Sequence, residues 1–380
     1  MKRANLFERG LVLACLLALP AAAQPYKIAV VGLQHAHIWL NLGAMLKGDP
    51  VQLVGVADAA PEQREWARNS APVGYTRGQP GPHVPDESLI FADWKKMIDQ
   101  TKPDIVWAFT PTNEHLDVVR YCAPKGIHVM MEKPLAATYQ QALEIQALAR
   151  KYNVLVMVNF ASTWQPAQYA IKAAIDAGEI GPVWRLHAMT GSGGPGNPKN
   201  SAFAAWLADP VKNGGGALMD FGCYSVLWSL WLKGRPQSVY ATAQHLKPDI
   251  YPNVDDNATI VLNYTDGLAL LEATWDQPPR TSNGGNEIYG RTGSIVGNQI
   301  RKAGAPAGGR GMPQGDPIKV DPLPPERAAP LDYVADRIRT KHPLDGMASL
   351  DLNVTVVEVL EAAKISIKTG AAVKLPLQQP

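Results

Sequence analysis

The chain has 380 residues, 46% of them hydrophobic, with 36 Lys and Arg against 34 Asp and Glu for a net charge of +2. That length exceeds what one core fills, so two domains are expected, and the near-neutral charge without a long basic run excludes a nucleic-acid binder. Of three cysteines only Cys122 and Cys223 lie beyond the first 23 residues, too few for a disulfide framework, so an ordinary apolar core must supply the stability.

Residues 1–23 read as a leader: basic Lys2 and Arg3, an apolar Leu11–Leu19 run and a small-residue Ala21-Ala22-Ala23 site. The run is too short for a membrane anchor, and no integral membrane segment is expected after processing. The mature protein is expected to be periplasmic or secreted, by the general secretory route or a degenerate twin-arginine one.

Tyr26–Val31 is a β-branched strand that Gly32 ends; residues 36–47 show helical spacing, and Val51–Ala57 is a second strand closed by Asp58. Strand, glycine turn, helix, strand and acid follow in the dinucleotide-binding order, although of G-x-G-x-x-G only Gly32 remains, with Gln34 and His37 at the other two places. His35 and His37 alternate on this loop. No Cys or acid with suitable spacing stands beside them, so no metal is expected.

Residues 70–88 read as a surface loop and Phe91–Ile98 as a helix with Trp94 inward. The strand Asp104–Phe109 precedes Thr110-Pro-Thr-Asn-Glu-His115, where Thr112 can cap a helix over 113–125. Residues 127–131 form a strand that ends in Glu132-Lys133-Pro134. Pro134 takes the chain out of the sheet and leaves Glu132 and Lys133 at its carboxyl edge, where open α/β sheets bind ligands. A helix over 138–151 and a strand over 154–158 complete a parallel, doubly wound sheet.

Beyond residue 159 the pattern changes to a helix at 166–177 and strands at 183–190, 237–246, 257–264, 267–275 and 286–296, which predicts an α+β domain with an open, largely antiparallel sheet. Tyr264-Thr-Asp-Gly267 is a hairpin turn, and 191–200 and 301–317 are Gly/Pro-rich loops. The predicted division is 1–23 leader, 26–158 Rossmann domain, 159–345 substrate and oligomerisation domain, and 346–380 a helix and strand that return to the first domain. Asn213-Gly-Gly-Gly216 leads into an apolar helix over 217–232 whose only charge is Asp220, with Tyr224 one turn on. A carboxylate there needs a partner or a cavity.

Thr110-Pro111 with His115, Glu132-Lys133-Pro134, Gly214-Gly-Gly216 with Asp220, Ile288-Tyr-Gly-Arg-Thr-Gly-Ser294 and Val373-Lys-Leu-Pro376 together resemble the Gfo/Idh/MocA family of glucose–fructose oxidoreductase, inositol dehydrogenase and rhizopine-catabolism relatives. The resemblance covers roughly 26–376. It implies a nicotinamide-dependent oxidoreductase acting on a CH–OH group of a sugar or cyclitol with NAD or NADP, and export would require that cofactor to be tightly held. By position, Gly32, Gln34, His35 and Asp58 would meet pyrophosphate and ribose, Thr110, Pro111, Asn113 and His115 the nucleotide, and Glu132 and Lys133 the cofactor. Lys133 would face the reacting hydroxyl, Asp220 would orient it, and Tyr224 would stand where many relatives carry His. Trp164 and Trp206, near the cleft, suit stacking on a sugar face, and Lys133 is expected to serve chemistry more than folding. Leu227 stands where those relatives carry Asp, and their Arg after the Asn-Phe strand end is missing near Asn159-Phe160. A glycoside-cleaving relative that recycles bound NAD and an inactive sugar-binding member are the alternatives. The single-layer sheet further predicts a homodimer or homotetramer.

Overall fold

The computed structural model describes residues 24–72, 74, 80–277, 286–304 and 315–378; the expected leader and most of the 301–317 loop lie outside them. The first domain alternates β1 (Tyr26–Val31), α1 (Ile38–Met45), β2 (Val51–Ala57), α2 (Pro61–Asn69), β3 (Ile90–Phe91), α3 (Trp94–Thr101), β4 (Ile105–Ala108), α4 (His115–Cys122), β5 (His128–Glu132), α5 (Tyr139–Tyr152) and β6 (Val156–Asn159). Among the described residues these six strands pair in the order β3-β2-β1-β4-β5-β6, all parallel. The order reverses between β1 and β4, which opens a crevice at their carboxyl ends. Helices cover both faces, so β4 and β6 are buried at every residue.

The chain continues through α6 (Pro166–Asp176), β7 (Val183–Gly191), α7 (Ala202–Leu207), α8 (Ala217–Asp220), α9 (Gly222–Lys233), β8 (Ser238–Gln244), β9 (Asn257–Tyr264), β10 (Gly267–Thr274), β11 (Glu287–Gly290), β12 (Gly293–Val296), β13 (Gln299–Lys302), β14 (Asp316–Pro317), α10 (Pro330–Thr340), α11 (Leu350–Thr369) and β15 (Val373–Lys374). Among the described residues nine strands form one sheet, antiparallel except where β10 runs parallel to β7. Its inner face, including Leu186, Ile260, Leu262, Leu271 and Ile288, is buried, and α9 and α11 pack onto the sheet.

Five expectations need correction. The 286–296 strand is two, folded at Arg291-Thr292 so that Glu287 faces Val296. The 217–232 helix is broken at Phe221 into α8 and α9. Phe91 closes β3, and α3 starts three residues later because Asp93 accepts the N–H groups of Lys95 and Lys96; Trp94 is only half-buried, edge-on to Tyr121. Thr112 caps nothing, since its hydroxyl donates to Asn213 Oδ1 at 3.3 Å. The terminal strand β15 pairs with β8 and so joins the second sheet, while α11 packs against α5 of the first domain and against α9 and β8. Among the described residues no helix is long and apolar enough to cross a membrane.

Candidate active site

Gly32 turns the chain at φ +80°, and a Cβ there would stand 2.7 Å from the Thr110 methyl. Only glycine fits a left-handed turn pressed so closely on β4's exit. The following loop is fixed from two sides: Leu33 N–H donates to Asp58 Oδ2 at 2.7 Å and His35 N–H to the Phe109 carbonyl at 3.1 Å. Asp58 Oδ1 also receives Ala60 N–H. Burial raises its pKa, against the pull of the Ala60 and Leu33 N–H groups and Arg64.

Glu132 is 0% exposed. One of its oxygens accepts Asn159 Nδ2 at 2.9 Å, and the other lies 2.8 Å from His37 Nδ1. Asn159 in turn accepts the Trp164 indole N–H at 2.8 Å, and Trp164 leans on Tyr333. Trp164, half-buried, thus braces Glu132 through Asn159. Burial foremost, then the charges of His37, Lys133 and His115, holds the His35 imidazole well below its usual range. The expectation that no acid stands beside His35 and His37 fails, because folding carries Glu132 from the end of β5 to them.

Lys133, 5% exposed, reaches across the domain boundary to Asp220, 7% exposed. Its ammonium donates to the Asp220 carbonyl at 2.9 Å and forms an ion pair with Oδ1. Asp220 Oδ2 accepts the Trp275 indole N–H at 2.9 Å. Asp220 thus orients Lys133 through its carbonyl and Oδ1, while Oδ2 is tied to Trp275. Burial opposes the ammonium, but the attraction of Asp220 outweighs it, and the Lys133 pKa moves up.

The half-buried Tyr224 ring packs edge-on to Phe160 at 5.1 Å, and Lys133 Nζ sits over its face, 5.1 Å from the centroid. Burial pushes the phenol pKa up more than Lys133 pulls it down. Both groups therefore remain protonated at neutral pH.

His115 is buried, with Nδ1 3.2 Å from the Leu135 carbonyl. A ring nitrogen facing a carbonyl must donate, so Nε2 keeps its lone pair. Burial lowers its pKa to about 4, so the ring is neutral at pH 7. Trp206 is buried in its own apolar cluster, 5.6 Å from His35, and closes on the glycine loop instead of offering a sugar platform.

The crevice fits a dinucleotide. Asn113 Oδ1, His115 Nε2 and Trp206 Nε1 are buried without partners among the described residues, which points to a polar ligand between the β1, β4 and β5 exits. Pro111 and Thr110 line the same exit, both buried. Gln34, half-buried, and His37 fill the space that glycines would leave open.

Sequence reasoning missed Asn159, Trp275 and Asp255. Asn159 had a readable signal, since it ends its strand in register with Glu132. Trp275 and Asp255 had none, because their partners lie far off in the chain. Asp255 accepts Gly216 N–H at 2.9 Å and Leu218 N–H at 2.7 Å, holding the start of α8 and hence Asp220.

Residues 26–160 match the model described as "Oxidoreductase family, NAD-binding Rossmann fold", and residues 169–296 match "GFO/IDH/MocA C-terminal domain". Levoglucosan dehydrogenase of Pseudarthrobacter phenanthrenivorans is 26% identical over 295 residues, 69% of this chain and 74% of that protein. Trans-1,2-dihydrobenzene-1,2-diol dehydrogenase of Xenopus tropicalis is 30% identical over 177 residues, 46% of this chain and 50% of that one, so the match spans half the relative's length. Aldose-aldose oxidoreductase from Caulobacter crescentus, solved with glycerol, shares the fold at a TM-score of 0.72 and 22% identity, covering 92% of this chain and 100% of that one. The WlbA dehydrogenase from Chromobacterium violaceum, solved with NADH and UDP-GlcNAcA, also has a TM-score of 0.72, at 22% identity over 96% of this chain and 100% of that one. With both of its domains matched, the chain belongs to the Gfo/Idh/MocA family of NAD-binding oxidoreductases.

Proposed function

We propose that the protein transfers hydride to or from a carbinol carbon of a sugar- or cyclitol-like substrate, as an exported enzyme that holds its cofactor tightly. The observation that carries this reading is the buried Lys133 ammonium, clamped by Asp220 at the carboxyl edge of the first sheet beside the crevice. A nicotinamide cofactor, when bound, supplies the hydride acceptor or donor. Gly32, Gln34, His35, Asp58, Thr110, Pro111, Asn113, His115 and Glu132 would hold it. The leader-like residues 1–23 support export, and the dinucleotide's scarcity outside the cytoplasm is the reason to expect tight retention.

Two contacts to Asp220 leave one of the three ammonium protons of Lys133 for the substrate oxygen. Preorganised donors in a water-poor site stabilise charge that develops on that oxygen. With Tyr224 also protonated, the site suits carbonyl reduction at neutral pH, and oxidation rises toward high pH as a donor loses its proton. Tyr224→Phe keeps the packing on Phe160 and should lower kcat by about tenfold to a hundredfold with little change in KM. A pH–rate profile with a limb in the histidine range, or an unchanged kcat, would make Tyr224 a packing residue only.

NAD should bind more tightly than NADP. The Asp58 carboxylate closes β2 where ribose hydroxyls are received, and it repels a phosphate there. Arg64, the cation that could offset this, is held by the Asp58 and Ala59 carbonyls at 2.7 and 2.8 Å. Fluorescence titration of both cofactors should show this order in wild type and its weakening in Asp58→Ala. Tighter NADP binding to wild type would contradict it.

The outer face of the second sheet supports a homo-oligomer. Trp184 and Tyr240 are 39% exposed and Leu268 36%, with Val261 and Leu270 between them half-buried. A sheet covered by helices on one face only leaves such residues to a second copy. Light scattering at micromolar concentration should report at least a dimer, and a monomer would refute the contact. The redox reading itself is tested by incubating the purified protein with NAD and a panel of aldoses and cyclitols, following reduced nicotinamide.

A further inference from the structure

Two of the three places where the dinucleotide fingerprint carries glycine are occupied here by Gln34 and His37, and His35 lies between them. The β1 exit brings the His35 and His37 rings to a centroid distance of 4.4 Å. Strand β5 lies two places away in the sheet, yet Glu132 at its end reaches the same point. One nitrogen of each imidazole and one oxygen of Glu132 all lie within 4.8 Å of one another.

Among the described residues Glu132 pairs with no Lys or Arg. A fully buried carboxylate is costly without positive charge beside it. The adjacent ammonium, Lys133, is committed to Asp220. What faces Glu132 is a neutral amide, Asn159, on one oxygen and the His37 imidazole on the other. An amide that anchors one oxygen and leaves the other turned toward two imidazoles is how an outer group orients a metal-binding carboxylate.

We propose that His35, His37 and Glu132 form a site for a first-row divalent transition ion at the edge of the first sheet. Two imidazoles and one carboxylate suit Zn²⁺ or Mn²⁺, whereas Mg²⁺ and Ca²⁺ prefer all-oxygen ligands. With metal–ligand bonds of about 2.1 Å, neighbouring ligand atoms stand about 3.4 Å apart, so the 2.8 Å His37–Glu132 contact opens through small side-chain rotations. His35 Nδ1 now accepts the His37 amide N–H at 3.2 Å, a long bond that coordination at that nitrogen replaces. An ion there places positive charge where the glycine loop would meet a dinucleotide's phosphates, and so exchanges backbone contact for a cation.

The test is made on untagged, chelator-stripped full-length protein, without nucleotide or substrate, by competing Zn²⁺ against a chromophoric chelator. One ion per chain is expected, with Mn²⁺ weaker and excess Mg²⁺ unable to displace Zn²⁺. His37→Ala and Glu132→Gln should each weaken Zn²⁺ at least about tenfold, Asn159→Ala should weaken it less, and His187→Gln, on the open sheet, should leave it unchanged. His37 is half-exposed, so His37→Ala decides the question if Glu132→Gln fails to fold, as circular dichroism will show. No saturable uptake, uptake indifferent to His37→Ala, or equal competition by Mg²⁺ would overturn the site. Because the readout is ion binding alone, its failure is separate from failure of the redox reading.

Discussion

Lys133→Met lowers turnover by about a hundredfold or more and, against the expectation that Lys133 has little to stabilise, also lowers stability by about 3–5 kcal/mol. The second effect follows from burial. The substitution leaves the buried Asp220 carboxylate without its cation, held among the described residues by Trp275 Nε1 alone. Removing one partner of a buried pair costs more than the pair contributes, because the remaining charge is left uncompensated. The double variant Lys133→Met/Asp220→Asn should therefore recover most of the lost stability and none of the turnover. Denaturant unfolding together with steady-state kinetics on wild type and both variants checks this. If Lys133→Met alone unfolds like wild type, the ion pair is not buried as described. If the double variant turns over, Lys133 is not part of the chemistry.

Gly216→Ala should be among the most damaging conservative changes outside the reacting groups. A Cβ at 216 would lie 1.8 Å from the Asp255 carbonyl oxygen, a backbone atom that cannot step aside. Gly214, at φ +84°, is likewise pressed on the Ala137 carbonyl just past the Lys133 loop. The glycine run thus lies flush between the two domains and carries Asp220 to Lys133. Displacing it costs about 3 kcal/mol or more through overpacking, and a misplacement of about 1 Å at the reacting groups costs about a hundredfold in rate. Gly222→Ala is the control: its nearest neighbour would be Ile260 Cδ1 at an ordinary 3.5 Å, so stability should stay near wild type. Thermal melts of the two variants compare directly, and equal melting temperatures would refute the joint.

The first sheet was legible because its signals are local. Strand and helix periods alternate between Tyr26 and Asn159, and Pro134 marks where the chain leaves the sheet. The candidate residues were legible as types but not as partners. Asp220 stood out as a lone charge in an apolar stretch, yet its ties to Lys133 and Trp275 span 87 and 55 residues, and no pattern along the chain encodes them. Glu132 likewise meets His37 across 95 residues, which is why no acid was expected beside the two histidines. Trp206 misled for the opposite reason: aromatic character is visible in sequence, but whether a ring faces a cleft or is buried against a neighbour depends on packing. The break at Phe221 escaped because both sides of it are apolar and helical in composition.

The central claim is that Lys133, held by Asp220, acts on a carbinol or carbonyl oxygen beside a bound nicotinamide. The most direct test is a single-turnover reaction of wild type and Lys133→Met, each loaded with one equivalent of NAD and mixed with the polyol or aldose found active in the substrate panel. The account predicts stoichiometric reduction of the bound nucleotide in wild type and its loss in Lys133→Met, with NAD still bound to the variant. Reduction by Lys133→Met at the wild-type rate would contradict it, as would a wild type that binds NAD but reduces it with no substrate of this class.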